Sequence, residues 1–304
     1  MDAPPGFEEA VDAVEPGGRL VGVRALTGGV SADVFAFDIT TPGGGARRVV
    51  VRRHRAVELK RHGPGVTVKE FHLLAALHRA GLAVPEPLVH VDSGAPTSAY
   101  LVMEWIDGSP ELPPADVAGG LDQMAGFLVD LHALDPSALH VPGLDPIEDP
   151  LAAIAAYLPP TDRGRAVAAL VAAAAAVDVP SDRRVVLHGD YWPGNVLWRD
   201  GRLASVIDWE DAALGDPLAD LATARVELLC QYGERAMERF TARYHARHEA
   251  RIGPLRLDGL PRWEVYVSAA ALATMGGWGL APGEEARRRA HTERFFDAAA
   301  RRLG

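Results

Sequence analysis

The pattern of apolar positions changes character near residue 107. Before it, Arg19 to Thr27, Asp33 to Thr40 and Arg47 to Arg53 are rich in Val, Leu, Phe and Ile and are separated by Gly or Pro clusters, which predicts three strands. Thr41-Pro42-Gly43-Gly44-Gly45 predicts a hairpin turn between the last two. Phe71, Leu74 and Leu77 fall at helical spacing in Thr67 to Ala80, with Gly81 as the stop. Two more strands are predicted near Pro87 to Val91 and Ala99 to Trp105, and Ile106 to Pro110 reads as a hinge. After the hinge the spacing turns helical. Helices are predicted over Ala115 to Leu134, Asp149 to Tyr157, Thr161 to Val177, Pro217 to Gln231, Gly233 to His248, Leu260 to Met275 and Glu284 to Arg302. A β-rich block, Arg184 to Asp208, interrupts them, with a hairpin turn at Asp200-Gly201. The expected class is therefore α+β, with a small β-rich lobe over 1–106 and a larger, mainly helical lobe over 107–304.

Composition narrows the compartment and the partners. At 304 residues, with 48% apolar and 24% charged positions, the chain can bury a core without staples. Its single cysteine, Cys230, cannot form an internal disulfide, and the acidic start has no basic and apolar leader, so a cytoplasmic location is expected. Val265 to Gly283 carries no charge, but Gly276-Gly277-Trp278-Gly279 interrupts it, so it reads as a buried helix and no membrane is expected. Residues 1–106 hold 12 acids against 11 bases, and residues 107–304 hold 29 against 20. An acidic lobe argues against nucleic acid, which needs a basic face, and permits a cationic small substrate.

The densest cluster of chemistry-bearing residues is Leu187-His188-Gly189-Asp190-Tyr191-Trp192-Pro193-Gly194-Asn195-Val196-Leu197, with Asp208 thirteen positions after Asn195. Phosphoryl transfer needs a carboxylate to orient the attacking hydroxyl and accept its proton, and oxygen ligands for Mg²⁺ to neutralise the triphosphate. Asp190 can supply the first, and Asn195 and Asp208 the second. The hairpin at Asp200-Gly201 folds the strand ending in Asp208 back towards the one starting after Asn195, so both ligands can serve one metal pair.

HGDYWPGNVLW together with IDWEDAALGDPLADLA resembles the aminoglycoside phosphotransferase and choline kinase-like family, and the order of elements agrees over nearly the whole chain. The resemblance implies a bilobal, protein-kinase-like fold and an enzyme that phosphorylates a hydroxyl of a small molecule with ATP or GTP and Mg²⁺. It implies Asp190 as catalytic base, Asn195 and Asp208 as metal ligands, and His188 as a residue ordering the loop. Gly28, Gly29 and Ser31 would form the phosphate-covering turn, where backbone N–H groups can meet phosphate oxygens. A kinase of this type also needs a cation on its third strand, held by an acid on the next helix. The chain has only two lysines, Lys60 and Lys69, and neither is on that strand. Arg52 is expected there instead, with Glu70 as its partner. Arg53 is the alternative, because a one-residue change of register swaps the faces. The main chain at Glu104 and Ile106 would meet the purine edge, with Met103 behind the base. Among acceptors, the acidic lobe leans towards an aminoglycoside, and a macrolide, choline, ethanolamine, homoserine or sugar remains open.

The other polar residues suggest less. His245 and His248 have no further ligand cluster, and Cys230 sits on an apolar helix. Trp192, Trp209, Glu210, Tyr266 and Trp278 are candidates to line an acceptor pocket, with core packing the alternative for each aromatic. Asp216 and Asp220 are expected to brace the loop or cap a helix.

Overall fold

The computed structural model describes residues 8–26, 32–55, 63, 65–91, 99–112, 116–147, 157–158, 160–175 and 184–303. The chain forms two compact units. The smaller holds residues 1–108, 139–144 and 204–211, and the larger holds 109–138, 145–203 and 212–304.

The smaller unit is built on an antiparallel sheet in the order β1-β2-β3-β5-β4. Its strands are β1 (Arg19–Leu26), β2 (Ala32–Thr40), β3 (Ala46–His54), β4 (Pro87–Val91) and β5 (Tyr100–Glu104). All five match the expected strands to within a residue or so. A short helix not anticipated from the pattern, α1 (Glu8–Val14), lays Ala10 and Val11 on Phe37, Ile39, Val49, Val51, Tyr100 and Val102. Seven residues hold too few turns for the period to show, so only this packing reveals the helix. Each fully buried Val, Ile or Phe in the cluster contributes roughly 1.5–3 kcal/mol.

The other face of the sheet is set by register. Arg52 pairs with Val34 and Leu101, Val50 with Ala36 and Met103, and Arg48 with Asp38. Arg48, Val50, Arg52 and His54 therefore alternate with the core residues Val49 and Val51 and point away from α1. Helix α2 (Val66–Arg79) buries Glu70, Leu73, Leu74 and Leu77. It ends in a Schellman turn, in which Gly81 N–H donates to His78 O at 2.9 Å and Leu82 N–H to Leu77 O at 3.1 Å.

The larger unit is mainly helical. It contains α3 (Val117–His132), α4 (Pro136–Leu139), α5 (Asp162–Ala175), α6 (Leu218–Tyr232), α7 (Glu234–Arg251), α8 (Leu260–Thr274) and α9 (Pro282–Arg301). The helix expected over 149–157 lies almost wholly outside the described residues. Asp116 caps α3 by accepting from Gly119 N–H at 2.9 Å. Val265, Ala269, Phe296, Ala299 and Ala300 form one of its cores. The uncharged stretch from Val265 is not one helix. A 3₁₀ turn, Met275–Gly277, separates α8 from α9. No helix among the described residues is long and apolar enough to cross a membrane.

Buried strand β6 (Val185–Leu187) pairs with β9 (Ala213–Gly215), and β7 (Val196–Arg199) forms a ribbon with the start of β8 (Arg202–Val206). Asp200 and Gly201 close that ribbon with φ of 51° and 74°, as a tight hairpin turn requires.

Candidate active site

The motif residues fall into two groups, one in each unit. In the smaller unit Arg52 is the centre. Its side chain is 7% exposed. Nη1 donates to Glu70 Oε1, and Nη2 donates to Asp208 Oδ1 at 2.5 Å and to Glu210 Oε2 at 2.8 Å. His54, two residues further along the same face of β3, places Nε2 3.1 Å from Glu70 Oε2 and Nδ1 3.1 Å from Glu210 Oε2. The Nε2 contact has hydrogen-bond geometry, whereas Nδ1 is close without it. Arg53 instead turns to Asp33 at 3.2 Å and is half-buried. The register thus makes Arg52 the inward residue.

The segment carrying Asp208 is fastened to this unit by its own bonds. Val206 N–H donates to Ala83 O at 2.8 Å, Lys69 Nζ to Glu210 O at 2.7 Å, and the fully buried Trp209 indole to Val206 O at 3.0 Å. Asp208 itself has φ of 69°. A non-glycine residue held in the left-handed region is uncommon and points to a site where side-chain placement matters more than local comfort.

Charge balance explains the protonation states. Burial alone would lower the Arg52 pKa, but Asp208, Glu70 and Glu210 outweigh it and push it up, so the guanidinium stays charged. Burial alone would raise Glu70, but Arg52 and His54 bring it down to about 2. His54 is pulled down by burial and by Arg52, yet its contacts with Glu210 and Glu70 raise it to about 9. Asp208, whose side chain keeps 33% of its exposure, is pushed up by burial and by Glu210 and Glu70, against the pull of Arg52.

In the larger unit β6 leads into the loop 188–195. Asp220, at the start of α6, accepts from His188 N–H and Gly189 N–H at 2.8 Å each, and its Oδ2 lies 3.1 Å from His132 Nε2. Burial alone would raise the Asp220 pKa, and these partners lower it below the usual value, so it stays a carboxylate. His132 in turn meets the Tyr244 hydroxyl at 2.7 Å. His188 is fully buried, and its Nδ1 accepts from Asp190 N–H at 3.2 Å, a backbone-ordering contact. Tyr191 is anchored by its hydroxyl to Met124 O at 2.8 Å and stacks on Phe127. Asp216 accepts from Leu218 N–H at 2.9 Å and from Trp263 Nε1 at 3.1 Å, so it caps α6.

Asp190 Oδ2 is held by two donors, Asn195 Nδ2 at 3.0 Å and Trp192 Nε1 at 3.2 Å, and Asn195 Nδ2 also reaches Asp190 O at 2.9 Å. The Trp192 ring lies over Gly194 so closely that a Cβ there would overlap it. Because its nitrogen is spent on Asp190, Asn195 keeps its amide oxygen for a hard cation. Asp208 likewise gives Oδ1 to Arg52 and keeps Oδ2. The Asn195 amide oxygen and the Asp208 carboxylate oxygen are each of the hard type that Mg²⁺ takes, one or two at a time beside phosphates and water. Among the described residues no cluster of three or more His, Cys, Asp and Glu forms an all-protein metal cage.

Of the residues picked out in the sequence, Arg52, Glu70 and Asp208 meet in the smaller unit, and Asp190 and Asn195 meet in the larger. Glu104 is exposed, and its N–H already donates to Glu86 O at 2.9 Å. Ile106 is half-buried after it, and Met103 is buried on the Arg52 face. Gly28, Gly29 and Ser31 lie outside the described residues. Glu210, expected in an acceptor pocket, is instead buried against Arg52. Trp209 is core, and Tyr266 packs edge-on against Trp263 and Tyr157. His54 was not anticipated. Its signal was its place two residues after Arg52 on a strand, hence on the same face. The larger unit also has an open cavity of about 680 Å³ lined by Arg225, Met237, Thr241 and Phe295, none of them a motif residue.

Residues 22–260 match the Phosphotransferase enzyme family, and the chain belongs to that family. The structure is similar to that of amicoumacin kinase in complex with AMP-PNP, Ca²⁺ and Ami, with a TM-score of 0.68 and 14% identity over 96% of this chain and 92% of that one. The fold is thus that of the protein-kinase-like phosphotransferases. In sequence the chain is 28% identical over 261 residues to acyl-CoA dehydrogenase family member 11 of Gallus gallus, covering 72% of this chain and 29% of that protein. It is 35% identical over 95 residues to hygromycin-B 4-O-kinase of Escherichia coli, covering 30% of this chain and 24% of that one. The alignments span 22% to 29% of the lengths of the curated relatives matched.

Proposed function

We propose that this protein transfers the γ-phosphoryl group of ATP, or of GTP, to a hydroxyl of a small molecule, with an aminoglycoside-type acceptor. The observation that carries the reading is the loop 188–195, where Asn195 and Trp192 fix the Asp190 carboxylate while Asp220 holds the loop amides. Asp190 orients the acceptor hydroxyl and takes its proton as the oxygen bonds to the γ-phosphorus and the bond to the β-phosphate oxygen breaks. Arg52, kept charged and aimed by Glu70 and Glu210, meets the phosphates with its planar fork in place of a lysine. Asn195 and Asp208 would hold Mg²⁺, which neutralises triphosphate charge when bound. The main chain at Glu104 and Ile106 receives the purine edge, Met103 backs the base, and Gly28, Gly29 and Ser31 cover the phosphates. On this reading residues 1–106 bind nucleotide, and residues 107–304 carry the base and the acceptor.

The excess of acids over bases in residues 107–304 supports a cationic acceptor. The likeness to hygromycin-B 4-O-kinase points the same way. The test is a mass-spectrometric screen of purified protein with ATP or GTP, Mg²⁺, and pools of aminoglycosides, macrolides, amino alcohols, homoserine and sugars. One added phosphoryl group on an aminoglycoside is expected. A product in another pool corrects the acceptor, and nucleotide binding with no product in any pool favours a nucleotide-binding protein without turnover.

A further inference from the structure

Beyond Arg52, the same face of the sheet carries a second cationic cluster at its other end. Arg24 pairs with Ala36, and Arg48 pairs with Asp38, so both guanidiniums leave the sheet on the side where Arg52 does. Between the two ends lie the small or apolar residues Ala36, Val50 and Met103. Trp105, the residue after β5, closes the strip. The Arg24 guanidinium carbon is 5.6 Å from the centre of its ring and the Arg48 carbon is 5.3 Å away, both within cation–π range. Arg48 is steadied by Asp38 at 2.5 Å, and the Trp105 indole N–H donates to Asp107 Oδ1 at 2.7 Å.

Three of these contacts bind the Trp105 side chain, to partners on β1, on β3 and in the hinge itself, and the fourth steadies Arg48. Trp105 stands between Glu104 and Ile106, the two positions expected to meet the purine edge. Holding its ring restricts the backbone on either side, because one planar peptide unit separates it from each neighbour. Both arginines are exposed and Trp105 is half-buried.

We propose that Trp105 is a positioning residue for nucleotide binding, clamped by Arg24 and Arg48 so that the hinge main chain is held ready for the purine. The inference rests on the kinase reading above and names the device that orders its base-binding edge. It needs no acceptor to test. Isothermal titration with ATP and Mg²⁺ compares the wild type with Trp105→Leu, Trp105→Phe, Arg24→Ala and Arg251→Ala, each checked for folding by circular dichroism. Trp105→Leu keeps an apolar side chain but no π face, and its Kd should rise five- to twentyfold. Trp105→Phe should restore binding to within threefold, because the ring returns. Arg24→Ala, a change at an exposed position, should weaken binding two- to fivefold. Arg251→Ala, a change at an exposed position on α7, should bind as the wild type does. Unchanged affinity in Trp105→Leu, or equal losses in the Leu and Phe variants, overturns the clamp and leaves the kinase reading standing. A folded wild type that binds neither ATP nor GTP overturns the kinase reading and the clamp's role with it.

Discussion

Removing the Arg52 charge while keeping its bulk, as in Arg52→Met, leaves Glu70 and Glu210 buried without the guanidinium that donates to both. The side chains of Glu70 and Glu210 are 1% and 7% exposed, so water cannot replace the lost partner. The fall of the Glu70 pKa from 4.5 to about 2 corresponds to about 3 kcal/mol at roughly 1.4 kcal/mol per pKa unit. Arg52 is the largest favourable cause of that fall. The figure agrees with the 3–5 kcal/mol typical of breaking a buried ion pair from one side. Arg53→Met is the internal control. Arg53 and Asp33 keep about a third of their exposure, and Asp33 retains Arg55 at 3.0 Å, so the loss should stay below about 1 kcal/mol. Equilibrium urea unfolding at pH 7, followed by circular dichroism, measures both. Because the folded pKa of Glu70 is depressed, its contribution is complete above pH 4.5 and is lost as pH falls towards 2. The wild type should therefore lose this share of its stability as pH falls from 4.5 towards 2. Equal losses in the two variants, or a larger loss in Arg53→Met, would refute the register argument and the electrostatic one together.

Two further outcomes follow from the same geometry. His54 has its pKa raised from 6.5 to about 9, so its contribution is complete below pH 6.5 and is lost as pH rises through 9, about 3 kcal/mol in all. Urea midpoints should fall across that window in the wild type and stay flat in His54→Gln; an identical slope in both would contradict the assignment. Gly194→Ala places a methyl group where the Trp192 ring sits, so the indole must move and its N–H must leave Asp190. Turnover with the acceptor found by the screen should fall roughly ten- to a hundredfold with little change in nucleotide affinity, and unchanged turnover would show that Asp190 does not depend on Trp192.

Much of this was legible in the chain because the chemistry is local. Asp190, Asn195 and Trp192 lie within six residues, so one loop brings them together whatever surrounds it. The five strands of the smaller unit declared themselves through β-branched runs bounded by Gly and Pro, and Gly81 marked the end of α2. What stayed hidden depends on distance along the chain. Arg52 and Glu210 are 158 positions apart, and no spacing rule connects them. Glu210 next to Trp209 therefore read as pocket lining, when it is the carboxylate that takes one branch of a guanidinium fork. A lysine at position 52 would end in a single ammonium with no such branches. The inward turn of Arg52 rather than Arg53 was open for a related reason. Both are arginines, and only the pairing with Val34 and Leu101 decides which faces Glu70. Asp208 shows the limit of propensity, since its left-handed backbone is set by the contacts of the 204–211 segment and not by its own preference.

The central claim is that Asp190 accepts the proton from an acceptor hydroxyl during phosphoryl transfer. It is tested most directly by comparing the wild type with Asp190→Asn, which keeps the side chain's shape and removes its basicity. Transfer from ATP to the identified acceptor is measured by mass spectrometry, and nucleotide affinity is measured in parallel. The expected result is phosphorylated product from the wild type, a loss of turnover of at least a hundredfold in the variant, and unchanged nucleotide affinity. Full turnover by Asp190→Asn would contradict the account.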